Sequence, residues 1–95
     1  MSLFQLHYFV AVAEESHVGR AALRLHVSQP PLSRQIKSLE DELGAPLFER
    51  TPRGMRLLPA GHTFLTHARL ILSQVEAARS AVKGAGPDVS WSQSR

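Results

Sequence analysis

From Pro59 onward, Phe64, Ala68, Ile71, Val75, Ala78 and Val82 recur at spacings of 4-3-4-3-4, the a/d seam of a coiled coil. A helix opening at Pro59 and running to about Lys83 extends nearly 40 Å at ~1.5 Å per residue. The preceding 58 residues make too small a body to cover it. Leu65 and Leu72 widen the stripe on one flank. Fewer than three heptads form a marginal coiled coil, so self-association through this helix draws on those leucines too. The alternative is that the stripe covers the chain's own core. The length favours a homodimer.

Upstream, the chain divides into shorter elements. Ser2-Leu3-Phe4-Gln5 has the spacing of a capping box, and Leu6, Phe9, Val10 and Ala13 follow at i, i+3, i+4 and i+7. A break near Ser16 precedes a second stripe, Val18, Ala21, Ala22 and Leu25, whose alanine pair allows another helix to cross closely. Leu25-His26-Val27 separates it from Ser28, a good N-cap. Pro30 and Pro31 sit in the first turn, where a missing N–H breaks no intrahelical bond. Leu32, Ile36, Leu39 and Leu43 then form one buried edge, and Gly44 is a natural stop. Two helices joined by so short a turn predict a helix-turn-helix.

Leu47–Arg50 and Met55–Leu57 read as two strands around Thr51-Pro52-Arg53-Gly54, a type I turn. This arginine-bearing hairpin is too small to stand alone and must lean on the helices. The expected architecture is mainly α: a winged helix-turn-helix of three helices and a two-stranded wing over residues 1–58, a dimerisation helix over 59–83, and a flexible tail over 84–95 that includes Trp91.

The 11 Lys+Arg against 8 Asp+Glu leave a net charge of only +3, but the distribution is uneven. His17–Ser38 carries Arg20, Arg24, Arg34 and Lys37 with no acid. Arg50–Val75 carries Arg50, Arg53, Arg56 and Arg69 with none. Such segregation favours a positive face and a polyanionic partner. On the outer side of the third helix, Gln29, Pro30, Ser33, Arg34 and Lys37 share a face near its start, beside Ser28 and Pro31. Gln pairs bidentately with adenine and Arg with guanine, Ser reaches bases or phosphate, and prolines offer apolar contact to thymine methyls. A recognition helix reads bases with its first turns. Arg53 at the wing tip suits a narrow minor groove; Arg50 and Arg56 suit phosphates or support of the wing. In the alternative, Arg34 and Lys37 are solvated residues with i,i+4 partners such as Asp41, and Arg20 and Arg24 are surface charges.

Without cysteine there is no disulfide, thiolate metal site or thiol nucleophile. His62 and His67 are five apart, off a common helical face, so no metal or cofactor is expected. No catalytic constellation is legible. The longest apolar run, Tyr8–Ala13, cannot span a bilayer, and a soluble, cytoplasmic protein is expected.

Residues 3 to about 83 resemble the N-terminal part of LysR-type transcriptional regulators. The resemblance rests on Leu6-His7-Tyr8-Phe9-Val10-Ala11-Val12-Ala13-Glu14, Arg20-Ala21-Ala22 with Leu25, and Val27 through Ile36. It continues in Leu39-Glu40, Leu43-Gly44, Leu47-Phe48-Glu49-Arg50 and Pro59-Ala60-Gly61. It implies a winged helix-turn-helix reading pseudo-palindromic duplex DNA as a dimer, joined by antiparallel long helices. It also implies major-groove reading by Gln29, Pro30, Ser33 and Arg34 and a minor-groove contact from Arg53. His17 and Gly19 stand where many members have Ser or Thr, so a helix cap and a phosphate contact are expected to differ, with His17 as a candidate proton-sensitive substitute. Leu58 stands where many have Thr, removing an N-cap oxygen at roughly 1 kcal/mol or less. The family's inducer-binding domain has no counterpart in these residues, so a fragment or truncated form is expected. The rival readings are a helical protein-interaction module and an RNA or single-strand binder; against the latter, the exposed face lacks interleaved aromatics.

Overall fold

The computed structural model describes residues 1–85; most of the expected tail, including Trp91, lies outside the described residues. Four helices and one hairpin follow in the order α1 (Leu3–Glu15), α2 (Val18–Leu25), α3 (Gln29–Leu43), β1 (Phe48–Thr51), β2 (Gly54–Leu57) and α4 (Pro59–Ala85). Helix α1 starts at a complete capping box: Ser2 Oγ accepts from the Gln5 N–H at 3.1 Å while Gln5 Oε1 accepts from the Ser2 N–H at 3.2 Å. It ends at Ser16, in the left-handed region at φ 56°. Leu6 and Phe9 are buried as expected, but Ala11 and Val12 are buried in place of Val10 and Ala13, which are only half-buried. The physical reason is that α2, α3 and α4 all pack on α1, so a single stripe cannot describe its covered surface.

Helix α2 buries Val18, Ala21 and Ala22. His26 ends it in the left-handed region at φ 59°, and the Val27 N–H returns to the Ala22 carbonyl at 3.0 Å, the pattern by which helix ends satisfy orphan carbonyls. Ser28 occupies the N-cap of α3 but makes no side-chain cap bond, which corrects the expectation of a capping hydroxyl. Leu32, Ile36 and Leu39 are buried. Leu43 is 37% exposed, so the buried edge of α3 stops one turn earlier than its periodicity suggests; Gly44, at φ 74°, ends the helix there.

The strands pair antiparallel with Phe48 opposite Leu57 and Thr51 opposite Gly54; both lie within one residue of their expected bounds. Neither Pro52 nor Arg53 has a positive φ, as a type I turn requires. The hairpin leans on the C-cap of α1 through backbone, the Met55 N–H donating to the Ser16 carbonyl at 2.9 Å, and its base is closed by the Leu58 N–H donating to the Leu47 carbonyl at 3.0 Å. Glu40 Oε2 accepts from the N–H groups of Leu47 and Phe48 at 2.7 and 3.2 Å, which fastens the entry of β1 to α3.

At the centre, Phe9 is fully buried. Its ring lies 5.3 Å from that of Phe48 and 5.0 Å, edge-on, from that of Phe64, within the separations at which aromatic pairs attract. One core therefore takes a ring from α1, from the wing and from α4. The first half of α4 belongs to this core: Ala68 is fully buried, and Phe64, Leu65 and Leu72 pack against the cluster. Gly84 and Ala85, expected in the tail, are the last residues of α4. None of the described helices is long and apolar enough to cross a membrane.

Candidate nucleic-acid interface

Because α3 turns Leu32, Ile36 and Leu39 inward, its opposite side is presented outward. Gln29, Pro30, Pro31, Arg34 and Lys37 are exposed and Ser33 is half-buried. The Ser28 hydroxyl, free of a capping bond, is exposed beside them. The wing closes one end of this face. A cleft is lined jointly by His17, Gly19, Gln29, Arg50 and Arg53, and a second by Ser33, Lys37, Arg50 and Met55. Arg50 lines both, so it bridges the recognition face and the wing. Arg53 sits at the exposed tip, where its backbone N–H donates to Thr51 Oγ1 at 3.2 Å.

The ion pairs sort the cations. Arg34, Arg50 and Arg53 have no ion pair among the described residues. Lys37 lies 3.2 Å from Asp41, the i,i+4 alternative; both groups are well exposed, so the pair is weak and leaves Lys37 able to exchange partners. Arg56 is engaged by Glu49 on the facing strand, which makes it a support of the wing. Arg24 contacts Glu14 at 2.7 Å and Glu15 at 3.3 Å, Arg20 donates to the Glu15 carbonyl at 2.9 Å, and Arg69 reaches Glu14 at 2.8 Å. Hydrogen bonds from Arg69 and then Arg24 hold the Glu14 carboxyl below the usual carboxylate range, and the Glu14 bond raises the Arg24 guanidinium further. Chain-wise counting of basic residues thus overstates the positive face. Among the described residues, the cations of that face without an ion pair are Arg34 on α3 and Arg50 and Arg53 on the wing.

Three features were missed by the sequence or only partly foreseen. His17, at the position where the resemblance led a helix cap to be expected to differ, is itself the N-cap of α2, its Nδ1 accepting from the Arg20 N–H at 3.2 Å. Glu40 is an anchor for β1 rather than a distant acid. On α4, Leu70 and Ile71 are 58% and 41% exposed and form an apolar face with Gln74, Val75 and Ala78. Ile71, Val75 and Ala78 belong to the expected seam, whereas Leu70 lies outside the 4-3-4 register and was missed.

The sequence matches the family model described as bacterial regulatory helix-turn-helix protein, lysR family, over residues 3–62. It is 57% identical over 79 residues to the HTH-type transcriptional regulator ClcR of Pseudomonas putida, covering 83% of this chain and 27% of that protein. To AlsR of Bacillus subtilis it is 55% identical over 75 residues, covering 79% and 25% respectively. The chain therefore spans roughly a quarter of these relatives' length. Among solved structures, a CbnR DBD–DNA complex superposes with a TM-score of 0.85 at 48% identity, covering 90% of this chain and 98% of that one. A BenM DBD bound to benA site 1 DNA does so with 0.88 at 45% identity, covering 93% and 99%. With its turn, recognition face and wing in this arrangement, the chain belongs to the lysR family of bacterial regulatory helix-turn-helix proteins.

Proposed function

We propose that residues 1–58 bind duplex DNA sequence-specifically to control transcription, without catalysis, and that α4 joins two copies so that a pseudo-palindromic operator is read by a homodimer. The observation that carries this reading is the outer face of α3. Ser28, Gln29, Pro30, Ser33 and Arg34 stand exposed or half-exposed over its first turns, with no acid among them and, alongside, Arg50 and Arg53, which have no ion pair among the described residues. Gln29 and Arg34 can each present a bidentate group to adenine and guanine edges in the major groove, with Pro30 and Pro31 against thymine methyls. Ser33 reaches base edges or phosphate beside them, Ser28, Lys37 and Arg50 serve phosphates, and Arg53 enters the adjacent minor groove, where a cation is most favoured.

Similar proteins support the DNA-binding half. The relatives are named as transcriptional regulators, and the CbnR and BenM DBDs are in complex with DNA. For self-association, α4 contributes Ile71, Val75, Ala78 and Val82 from the expected seam, joined by Leu70. Phe64, Leu65, Ala68 and Leu72 act indirectly, by fixing the helix to the body. Such a regulator works in the cytoplasm, at the nucleoid. Selection of duplexes from a random pool, followed by sedimentation of the complex, tests the proposal. A symmetric motif bound by two chains is expected; an asymmetric half-site bound by one chain overturns the dimer, and no enriched motif overturns specific reading.

A further inference from the structure

Gly19 is the second residue of α2, with no positive φ, and alanine is the better helix former. Nothing in the backbone of α2 calls for glycine there. Its surroundings do. A methyl group added at Gly19 would lie 2.8 Å from His17 Cε1, 3.1 Å from His17 Nδ1 and 3.2 Å from the Gln29 side-chain nitrogen. The imidazole is held over this position by its capping bond to the Arg20 N–H, 3.2 Å long. The Gln29 amide, from the first residue of α3, comes to the other side of the same space. Gly19, His17 and Gln29 line one cleft with Arg50 and Arg53.

We propose that Gly19 is a specificity-positioning residue: by lacking a side chain, it lets the Gln29 amide nest against the start of α2, and so sets the angle at which Gln29 meets a base pair. The inference rests on the reading of Gln29 as a base contact. A Cβ at this position must displace the imidazole, the amide or both, because the spacings above are shorter than ordinary van der Waals contact. The closest approach is to His17 Cε1, so the imidazole must turn against its cap, and the Gln29 amide, a flexible end, must give by a few tenths of an ångström as well. The consequence is a change in base preference, since a bidentate contact tolerates little misplacement and carries its discrimination through geometry.

The test measures binding to duplexes that differ only at the base pair Gln29 contacts, for the unaltered chain, Gly19→Ala, Gln29→Ala and the double variant. Gly19→Ala is expected to lose about fivefold or more of the discrimination at that pair, with affinity for unrelated duplexes unchanged. In the Gln29→Ala background the same substitution is expected to have no further effect, as coupling between the two sites requires. Should Gly19→Ala disturb the α2 cap, visible as a lowered Tm, His17→Ser with Gly19→Ala keeps a capping oxygen and clears the imidazole, and the loss of discrimination should persist. Unchanged discrimination in a folded Gly19→Ala protein overturns the proposal, as does an equal loss with and without Gln29. If Gln29→Ala alone leaves discrimination intact, the reading of Gln29 fails, and this inference with it.

Discussion

Arg69 Nη2 lies 2.8 Å from Glu14 Oε2 across a chain separation of 55 residues, and Arg24 reaches the other oxygen of the same carboxylate at 2.7 Å. One acid at the end of α1 thus joins α2 and α4 to the body. Its carboxyl is held below the usual carboxylate range by Arg69 first and Arg24 second. A depressed folded value means that the contribution to stability is present above the unfolded carboxyl's titration and disappears as pH falls through the folded one. Thermal melts along an acid series should show Tm falling across that window, and Glu14→Gln should flatten the fall. Because all three side chains are substantially exposed, the substitution should cost only about 1 kcal/mol or less at neutral pH. An unchanged acid profile would remove Glu14 from this role.

The wing's attachment should be more sensitive than its exposed position suggests. Gly54 has φ 134°, and a Cβ there would lie 2.2 Å from the Ser16 carbonyl oxygen, the acceptor of the Met55 N–H. Gly54→Ala therefore combines a backbone conformation that L-residues avoid with a clash against backbone that cannot step aside. A loss of about 2–4 kcal/mol in denaturant unfolding is expected, set by strain of ~1–3 kcal/mol plus overpacking of similar size. DNA affinity should fall with it, because the wing would no longer be seated.

Within the proposed DNA-contacting set, Arg34 and Arg53 should separate by readout. Arg34→Ala should cost about 1–3 kcal/mol and relax specificity at one base pair per half-site. Arg53→Ala should weaken binding most where the adjacent minor groove is narrow, on A-tract flanks. Anisotropy titrations with permuted half-sites and flanks distinguish the two. An equal loss on every sequence would reassign Arg34 to a phosphate.

Two residues of the same α4 stripe should behave in opposite ways. Phe64 packs edge-on against Phe9, so Phe64→Ala should destabilise each protomer by about 3 kcal/mol. Ile71 is 41% exposed, and Ile71→Glu should leave the protomer's unfolding nearly unchanged while shifting sedimentation from dimer to monomer. A dimer that survives Ile71→Glu combined with Leu70→Glu would place self-association elsewhere.

Much of this protein was legible from local chemistry. The capping box at Ser2 and Gln5, the prolines opening α3, the stop at Gly44 and the Thr51–Gly54 turn each depend on a few neighbouring residues, so sequence by itself determined the elements and their order. It also determined which residues of α3 point away from Leu32, Ile36 and Leu39, since helical periodicity assigns both faces at once. What tertiary structure decided were matters of allocation among distant residues. Whether Arg24 or Arg69 is available to a polyanion depends on Glu14, and whether Phe64 or Ile71 is open to a partner depends on how far Phe9 and the wing extend along α4. The apolar stripe of α4 is continuous in sequence, but the body it packs against is short. Its first half is therefore spent on the chain's own core, leaving Leu70, Ile71 and Val82 exposed.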